Sequence, residues 1–435
     1  MKKYRQIHEH YLKEDEGFLI KDIMPDYYID QNIGRNLVDV EYAVRFLQNS
    51  LNNLLSSFLN GGFSSRGYAL YPFVKDVSGK NLTGIKRLRK IAIFLNNNGY
   101  DFSNSIEKYK DSINSRDFAS ILSALYLDSS LIKNHNIKII KKLKCEELDT
   151  SSYKKPDLKY LKPLAELKRY ADENLKQNLS GFYLHGSLAT KDYIKGWSDV
   201  DTLAIVSKEA LGDPNALLDL RDKFYFMRHF FYKIDPLQHH GCAVISDHDL
   251  QKYCQAYFPV EVFKYAKSFF KDDNISNLYA RGFSSEALKN LFWFVSYFRK
   301  LNEKPELASG SYGIKTMLHY VTLFPALYLQ AKGMPMYKKF SFSIAKKDFK
   351  KEAWRVIDNA SSIRLKWKCR GTLALVELFS KTNPLLYYRL NASITDIFWD
   401  AKKENRINID SMAKSMFSLS EEAWNNIKKN AHKKL

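Results

Sequence analysis

Cysteine is scarce in this chain, with four in 435 residues, and Cys145, Cys242, Cys254 and Cys369 lie far apart with no C-x-x-C spacing. Neither a zinc site nor a disulfide framework is expected, and four scattered thiols fit a reducing compartment. Long apolar runs are missing too. The longest, Leu291 to Phe298 and Val321 to Leu329, fall short of the ~18 to 20 residues that span a bilayer. No apolar segment follows the basic start Met-Lys-Lys-Tyr-Arg, so no signal peptide is expected. The expectation is a soluble, cytoplasmic protein with no membrane partner. A phosphate-binding P-loop, a kinase-type catalytic set and a Gly-x-Ser-x-Gly elbow are likewise absent from the sequence.

What is present is a folding composition, 45% hydrophobic and 27% charged, long enough for two or three domains. The net charge of +20 would attract polyanions such as RNA or nucleotides. Its lysines are spread along the whole chain, however, and Asn, Ile, Tyr and Phe are equally abundant. The excess therefore reads first as compositional, and no RNA-binding module is recognisable.

Residues 1–155 read as a helical accessory region. Val44, Phe46, Leu47, Leu51, Leu54, Leu55 and Phe58 recur at helical spacing before Gly61-Gly62. Lys154-Lys155-Pro156-Asp157 punctuates the chain. Residues 156–280 then alternate: a helix opened by Pro163, a strand at Phe182-Tyr183-Leu184, and a strand from Asp199 to Val206. A helix started by Asp213-Pro214, a strand from Gly241 to Ser246 and a helix capped by Asp247 or Asp249 complete an α+β unit. Residues 281–435 read as a helical bundle over Ala287–Arg299, Gly313–Ala331, Lys346–Asn359 and Arg370–Phe379. Its aromatic residues Phe292, Trp293, Phe294, Tyr297 and Phe298 are expected in the core.

The chemistry lies between Gly186 and Asp201. A strand running into Gly186-Ser187 lets backbone N–H groups and a hydroxyl approach a phosphate. A short helix beginning at Leu188-Ala189-Thr190 would turn its N-terminus to the same anion. Asp199 and Asp201 alternate on a strand, so they share a face roughly 7 Å apart along the chain. Two carboxylates so placed suit Mg²⁺, which binds carboxylate oxygens together with substrate phosphates.

Leu184-His185-Gly186-Ser187 and Trp197-Ser198-Asp199-Val200-Asp201-Thr202-Leu203 resemble the signature of the DNA polymerase beta-like nucleotidyltransferases. That pattern is an apolar strand, Gly-Gly or Gly-Ser, a spacer near ten residues, then Asp-x-Asp or Asp-x-Glu. The resemblance covers about residues 160–250. It implies a small mixed sheet flanked by helices and a nucleoside triphosphate donor, ATP or another. It also implies Mg²⁺ or Mn²⁺ held by Asp199 and Asp201, with Gly186 and Ser187 binding the nucleotide. In its order of elements the C-terminal region is similar to the bundle of kanamycin nucleotidyltransferase-type proteins, where the acceptor sits between domains.

One departure stands out. Most active members carry a third carboxylate on the next strand, whereas this chain reads Asp235-Pro236-Leu237-Gln238-His239-His240-Gly241-Cys242. A neutral imidazole can ligate a metal or accept a proton near pH 7. His240, or else His239, is therefore expected in the third place, with His240 preferred because it stands immediately before the strand. If instead both are structural, the site is weakened. His185 is expected to be a neighbour of the turn rather than a ligand. The expected activity is metal-dependent transfer of a nucleoside monophosphate, AMP from ATP foremost, to a hydroxyl of a small molecule, protein or RNA, with release of pyrophosphate. The alternative is a nucleotide-binding or protein-interaction module of the same fold that has lost turnover.

Overall fold

A computed structural model describes residues 24–61, 76–110, 112–132, 137–140, 145–238, 240–255, 258–271, 278–281, 286–368 and 379–431. Three longer helices open the chain: α1 (Val40–Leu59), α2 (Gly79–Asn97) and α3 (Ser115–Ser130). Each starts on a side-chain cap, Asp39, Ser78 and Asn114 respectively, which accepts a hydrogen bond from an N–H of the first turn. Strands β1 (Ile137–Ile140) and β2 (Glu146–Glu147) follow, then α4 (Lys162–Asn174), with Pro163 in its first turn. Next come β3 (Leu179–His185), β4 (Asp201–Val206), α5 (Pro214–Ile234), β5 (Ala243–Ser246), β6 (Lys267–Ser268) and β7 (Leu278–Arg281). The chain closes with α6 (Glu286–Glu303), α7 (Gly310–Ala331), α8 (Lys338–Ala345), α9 (Lys351–Leu365), α10 (Pro384–Phe398) and α11 (Ile409–Ala431).

The central sheet has the order β2-β6-β3-β4-β5, antiparallel at β3/β4 and β3/β6 and parallel at β4/β5 and β2/β6; β1 and β7 pair separately. This is the α+β class expected, with a small mixed sheet. Alternation along the strands divides the packing. Phe182, Leu184, Ala204, Val206 and Val244 bury into one core with α4, α5 and the N-terminal helices. Tyr183, Leu203, Ile205 and Ile245 face the other way, against Tyr253 and Phe263. The N-terminal helices thus share the sheet's core, and β2, ahead of residue 155, supplies its edge. Buried Arg221 of α5 ties the two together through Ser115 Oγ at 3.0 Å and the Asp76 carbonyl at 2.6 Å.

Several expected boundaries shift. β4 begins at Asp201, so Asp199 precedes the strand, and β5 begins at Ala243 rather than Gly241. The turn after β5 is capped by Ser246 in a reciprocal box with Asp249. Lys346–Asn359 is not one helix, because Lys338–Ala345 and Lys351–Leu365 flank a short 3₁₀ turn there. Most of the expected helix at Arg370–Phe379 lies outside the described residues. Phe292, Phe294 and Phe298 are buried in the bundle core as expected, while Trp293 is exposed. Among the described residues no helix is long and apolar enough to cross a membrane.

One packing detail fixes a pH dependence. His248 stacks on Tyr126 with ring centroids 6.2 Å apart, and burial followed by the repulsion of Lys252 and Lys208 lowers its imidazole to about 4. The unfolded chain, with a pKa near 6.5, takes up a proton that the folded state refuses. The stability His248 contributes is therefore complete above pH ~6.5 and is lost as pH falls toward ~4. His248→Phe keeps the ring and removes the titration. Its urea midpoint should fall less than that of the wild type between pH 7 and 5; equal falls would discount His248.

Candidate functional site

β3 and β4 are paired so that His185 stands opposite Asp201, which brings the Gly186 turn beside the acidic pair. Gly186 adopts φ +70°, and a Cβ there would overlap the Asp201 carboxylate. Gly186–Ala189 forms a single helical turn. The Ser187 hydroxyl donates to Ser198 Oγ at 2.9 Å, and Ser198 Oγ accepts the Ile194 N–H at 2.9 Å. Ser187 thereby buckles the turn to the segment that leads into Asp199. Gly186→Ala should cost about 1–2 kcal/mol for the left-handed backbone alone and displace the Asp201 side chain as well. Its unfolding midpoint and its Mn²⁺ affinity should drop together; an unchanged Mn²⁺ affinity would separate the glycine from the acids.

Asp199, Asp201 and His240 converge. His240 Nε2 lies 3.4 Å from Asp199 Oδ2 and 3.2 Å from Asp201 Oδ1, and one ligand atom from each of the three falls within 4.8 Å of the others. His240 Nδ1 is 3.0 Å from the Gly241 carbonyl, to which it donates, and Nε2 points at the aspartates, donating to them when protonated and offering its lone pair to a cation once that proton is lost. Burial alone would lower the His240 pKa; the hydrogen bonds to Asp199 and Asp201 outweigh it and raise the pKa well above its ordinary value. Burial would raise the Asp201 pKa, but the hydrogen bond from His240 and the field of His185 hold it down. Two carboxylates and an imidazole of this spacing suit a divalent cation, and Mn²⁺ accepts the nitrogen more readily than Mg²⁺ does.

The other expected residues fall nearby. His239 lies outside the described residues. His185 is buried, packs its ring against Phe258 at 5.2 Å, and has its pKa lowered by burial. Asp235 does not join the cluster of Asp199, Asp201 and His240. It is 1% exposed and ion-paired with Lys315, itself 1% exposed, whose Nζ stands 4.0 Å from Asp199 Oδ1. Burial pushes the Asp235 carboxyl up, against the pull of Lys315.

Sequence reasoning missed the cations that the C-terminal bundle supplies. Lys315 is the only Lys, Arg, Asp or Glu in α7, a signal that could have been read. Lys338, at the start of α8, and Arg364, in the last turn of α9, both feel the charges of Asp199 and Asp201. Neither has a carboxylate within ion-pair reach among the described residues, and the buried Arg364 Nε has no hydrogen-bond partner. Burial, followed by repulsion from Arg364, lowers the Lys338 ammonium to about 8; burial also lowers Arg364. Trp197 lies between Lys315 and Arg364, at 5.5 and 5.4 Å from its ring centroid, and its ring belongs to the bundle core. The bundle is thus docked two residues from Asp199. Lys339 reaches Asp192 at 2.9 Å, a second tie between the bundle and the loop after the Gly186 turn.

Comparison with protein-family models, with curated proteins and with solved structures finds no match to this chain.

Proposed function

We propose that this chain is a metal-dependent nucleotidyltransferase that moves a nucleoside monophosphate, AMP from ATP foremost, to an acceptor hydroxyl and releases pyrophosphate. The observation that carries this reading is the meeting of opposite charges. Asp199, Asp201 and His240 converge beside the Gly186–Ser187 turn, while Lys338 and Arg364 face them without carboxylate partners. A bound triphosphate together with a divalent cation would complement both halves. Asp199, Asp201 and His240 would hold Mg²⁺ or Mn²⁺, which when bound supplies Lewis-acid polarisation of phosphoryl oxygens.

The chain's own groups would act around the donor. Gly186, lacking a Cβ, lets the Asp201 carboxylate close on the turn that would receive a phosphate, and Ser187 ties that turn to Ser198, the neighbour of Asp199. Lys338 and Arg364 would bind the β- and γ-phosphates, neutralising charge that grows as pyrophosphate departs. The acceptor hydroxyl would pass its proton to solvent as its oxygen attacks the α-phosphorus in line and the bond to the pyrophosphate oxygen breaks. The resemblance of Gly186-Ser187 and Asp199-x-Asp201 to polymerase beta-like nucleotidyltransferases supports the same chemistry. The described cysteines Cys145, Cys242 and Cys254 are free thiols, and we place the reaction in the cytoplasm.

The second reading is a nucleotide-binding or interaction module without turnover. The 4.0 Å approach of Lys315 to Asp199, with an imidazole in place of a third carboxylate, favours it by lowering the negative charge available to a metal. Incubation with ATP and Mg²⁺ or Mn²⁺ across candidate small-molecule, protein and RNA acceptors tests the proposal. Metal-dependent pyrophosphate release supports transfer; ATP binding without any release under every condition supports the module.

A further inference from the structure

The parallel β4/β5 register pairs Leu203 with Ala243 and Ala204 with Val244. Continued three residues toward the N-termini, it would set His240 opposite Val200, between the two aspartates in the chain. Paired residues of adjacent strands point to the same face, and side chains alternate along each strand. A regular strand would therefore turn His240 to the Val200 side, away from Asp199 and Asp201. The imidazole faces the aspartates instead, so the backbone ahead of β5 must depart from strand geometry and be held in that departure.

Gln238 supplies the hold. It is 1% exposed, and its side-chain amide behaves like a peptide group of a neighbouring strand. Its Oε1 accepts the Val200 N–H at 2.9 Å, and its Nε2 donates to the Val200 carbonyl at 3.0 Å and to the His240 carbonyl at 3.2 Å. Val200 precedes the first residue of β4, and the pairing of β4 with β5 starts only at Leu203. From the far side the Asn60 amide, at the end of α1, donates to the Cys242 carbonyl at 2.6 Å. Gly241 leaves no space for a Cβ between Asn60 and Arg228.

We propose that Gln238 is the positioning residue of this site, joining the backbone between Asp199 and Asp201 to the backbone of His240 so that the three ligands stand in place before any metal arrives. The inference rests on the reading of those three residues as a metal site. Gln238 touches no substrate in this scheme and acts through the groups it joins.

Mn²⁺ binding by calorimetry tests it on the full chain, at a temperature where each variant is shown to be folded. Gln238→Met keeps the bulk and loses all three hydrogen bonds, and should weaken Mn²⁺ roughly tenfold or more. In combination with His240→Ala, the total loss should fall well short of the product of the two single losses, because the second change removes what the first positions. Hydrogen exchange at the Val200 amide should be slow in the metal-free wild type and markedly faster in Gln238→Met. If Gln238→Met does not fold, Gln238→Asn retains the amide and shortens its reach by one methylene, and the same losses are expected. Wild-type Mn²⁺ affinity in a folded Gln238 variant, or losses that simply multiply, would overturn the proposal while leaving the metal site standing. A wild-type chain that binds no Mn²⁺ would remove both.

Discussion

Asp201→Asn should abolish divalent-metal binding and pyrophosphate release while leaving the fold intact. Changes to residues one step removed from a metal commonly cost ~10–100-fold in affinity, so loss of a direct carboxylate ligand should cost at least ~100-fold. Asp201 also carries a second duty in the metal-free protein. Two bare carboxylates would repel each other, and neutralising one would then stabilise the chain. His240 changes that sign, because its imidazole lies 3.2 Å from Asp201 and 3.4 Å from Asp199 and keeps the Asp201 pKa below its ordinary value. The charged form of Asp201 is thus favoured by folding, and Asn in its place should lower stability by about 1 kcal/mol. Asp199→Asn should lose metal binding in the same way, and should further remove the negative charge that stands 4.0 Å from Lys315 Nζ. Mn²⁺ titration and urea unfolding of both variants check these outcomes. Wild-type Mn²⁺ affinity in either one would place the metal elsewhere.

The legible part of this site was the part written locally. Phe182-Tyr183-Leu184 running into Gly186-Ser187, and Asp199-x-Asp201 a short span later, announce a turn beside an acidic strand, because strand alternation and glycine's freedom act over a few residues. The structure sets His185 opposite Asp201 as that reading requires. Asp213-Pro214 likewise places the start of α5, since a cap and a first-turn proline are local signals. His240 was reached through a gap, the missing third carboxylate, rather than through any pattern of its own. What stayed hidden depends on tertiary packing. Gln238 reads as an ordinary polar residue until its amide is found bonded to Val200. Lys338 and Arg364 lie more than a hundred residues beyond the acids and gain meaning only when α8 and α9 fold back over them. The dispersed +20 charge concealed them further, since two cations are inconspicuous among 68.

Those two cations give the other large expected effect. Lys338→Met combined with Arg364→Met should weaken binding of a non-hydrolysable ATP analogue by about 100-fold or more, given ~1.5–3 kcal/mol for each charge-assisted hydrogen bond to phosphate. Adenosine, which offers no phosphate, should bind the variant and the wild type alike. Stability should move the opposite way. Burial lowers the pKa of both groups, Lys338 to about 8, so the empty fold disfavours the charges it holds there. Methionine keeps the aliphatic stem and drops the charge, which relieves both burial and the mutual repulsion of the pair. The double variant should therefore unfold at an equal or higher urea concentration than the wild type at pH 7, and the difference should shrink as pH rises through ~8 and Lys338 discharges by itself. A residue kept only for packing would not give this combination, since its loss would lower stability and leave ligand discrimination alone. Equal affinity of the variant and the wild type for the ATP analogue would show that Lys338 and Arg364 do not receive the phosphates, and would leave the acidic half of the site without its counterpart.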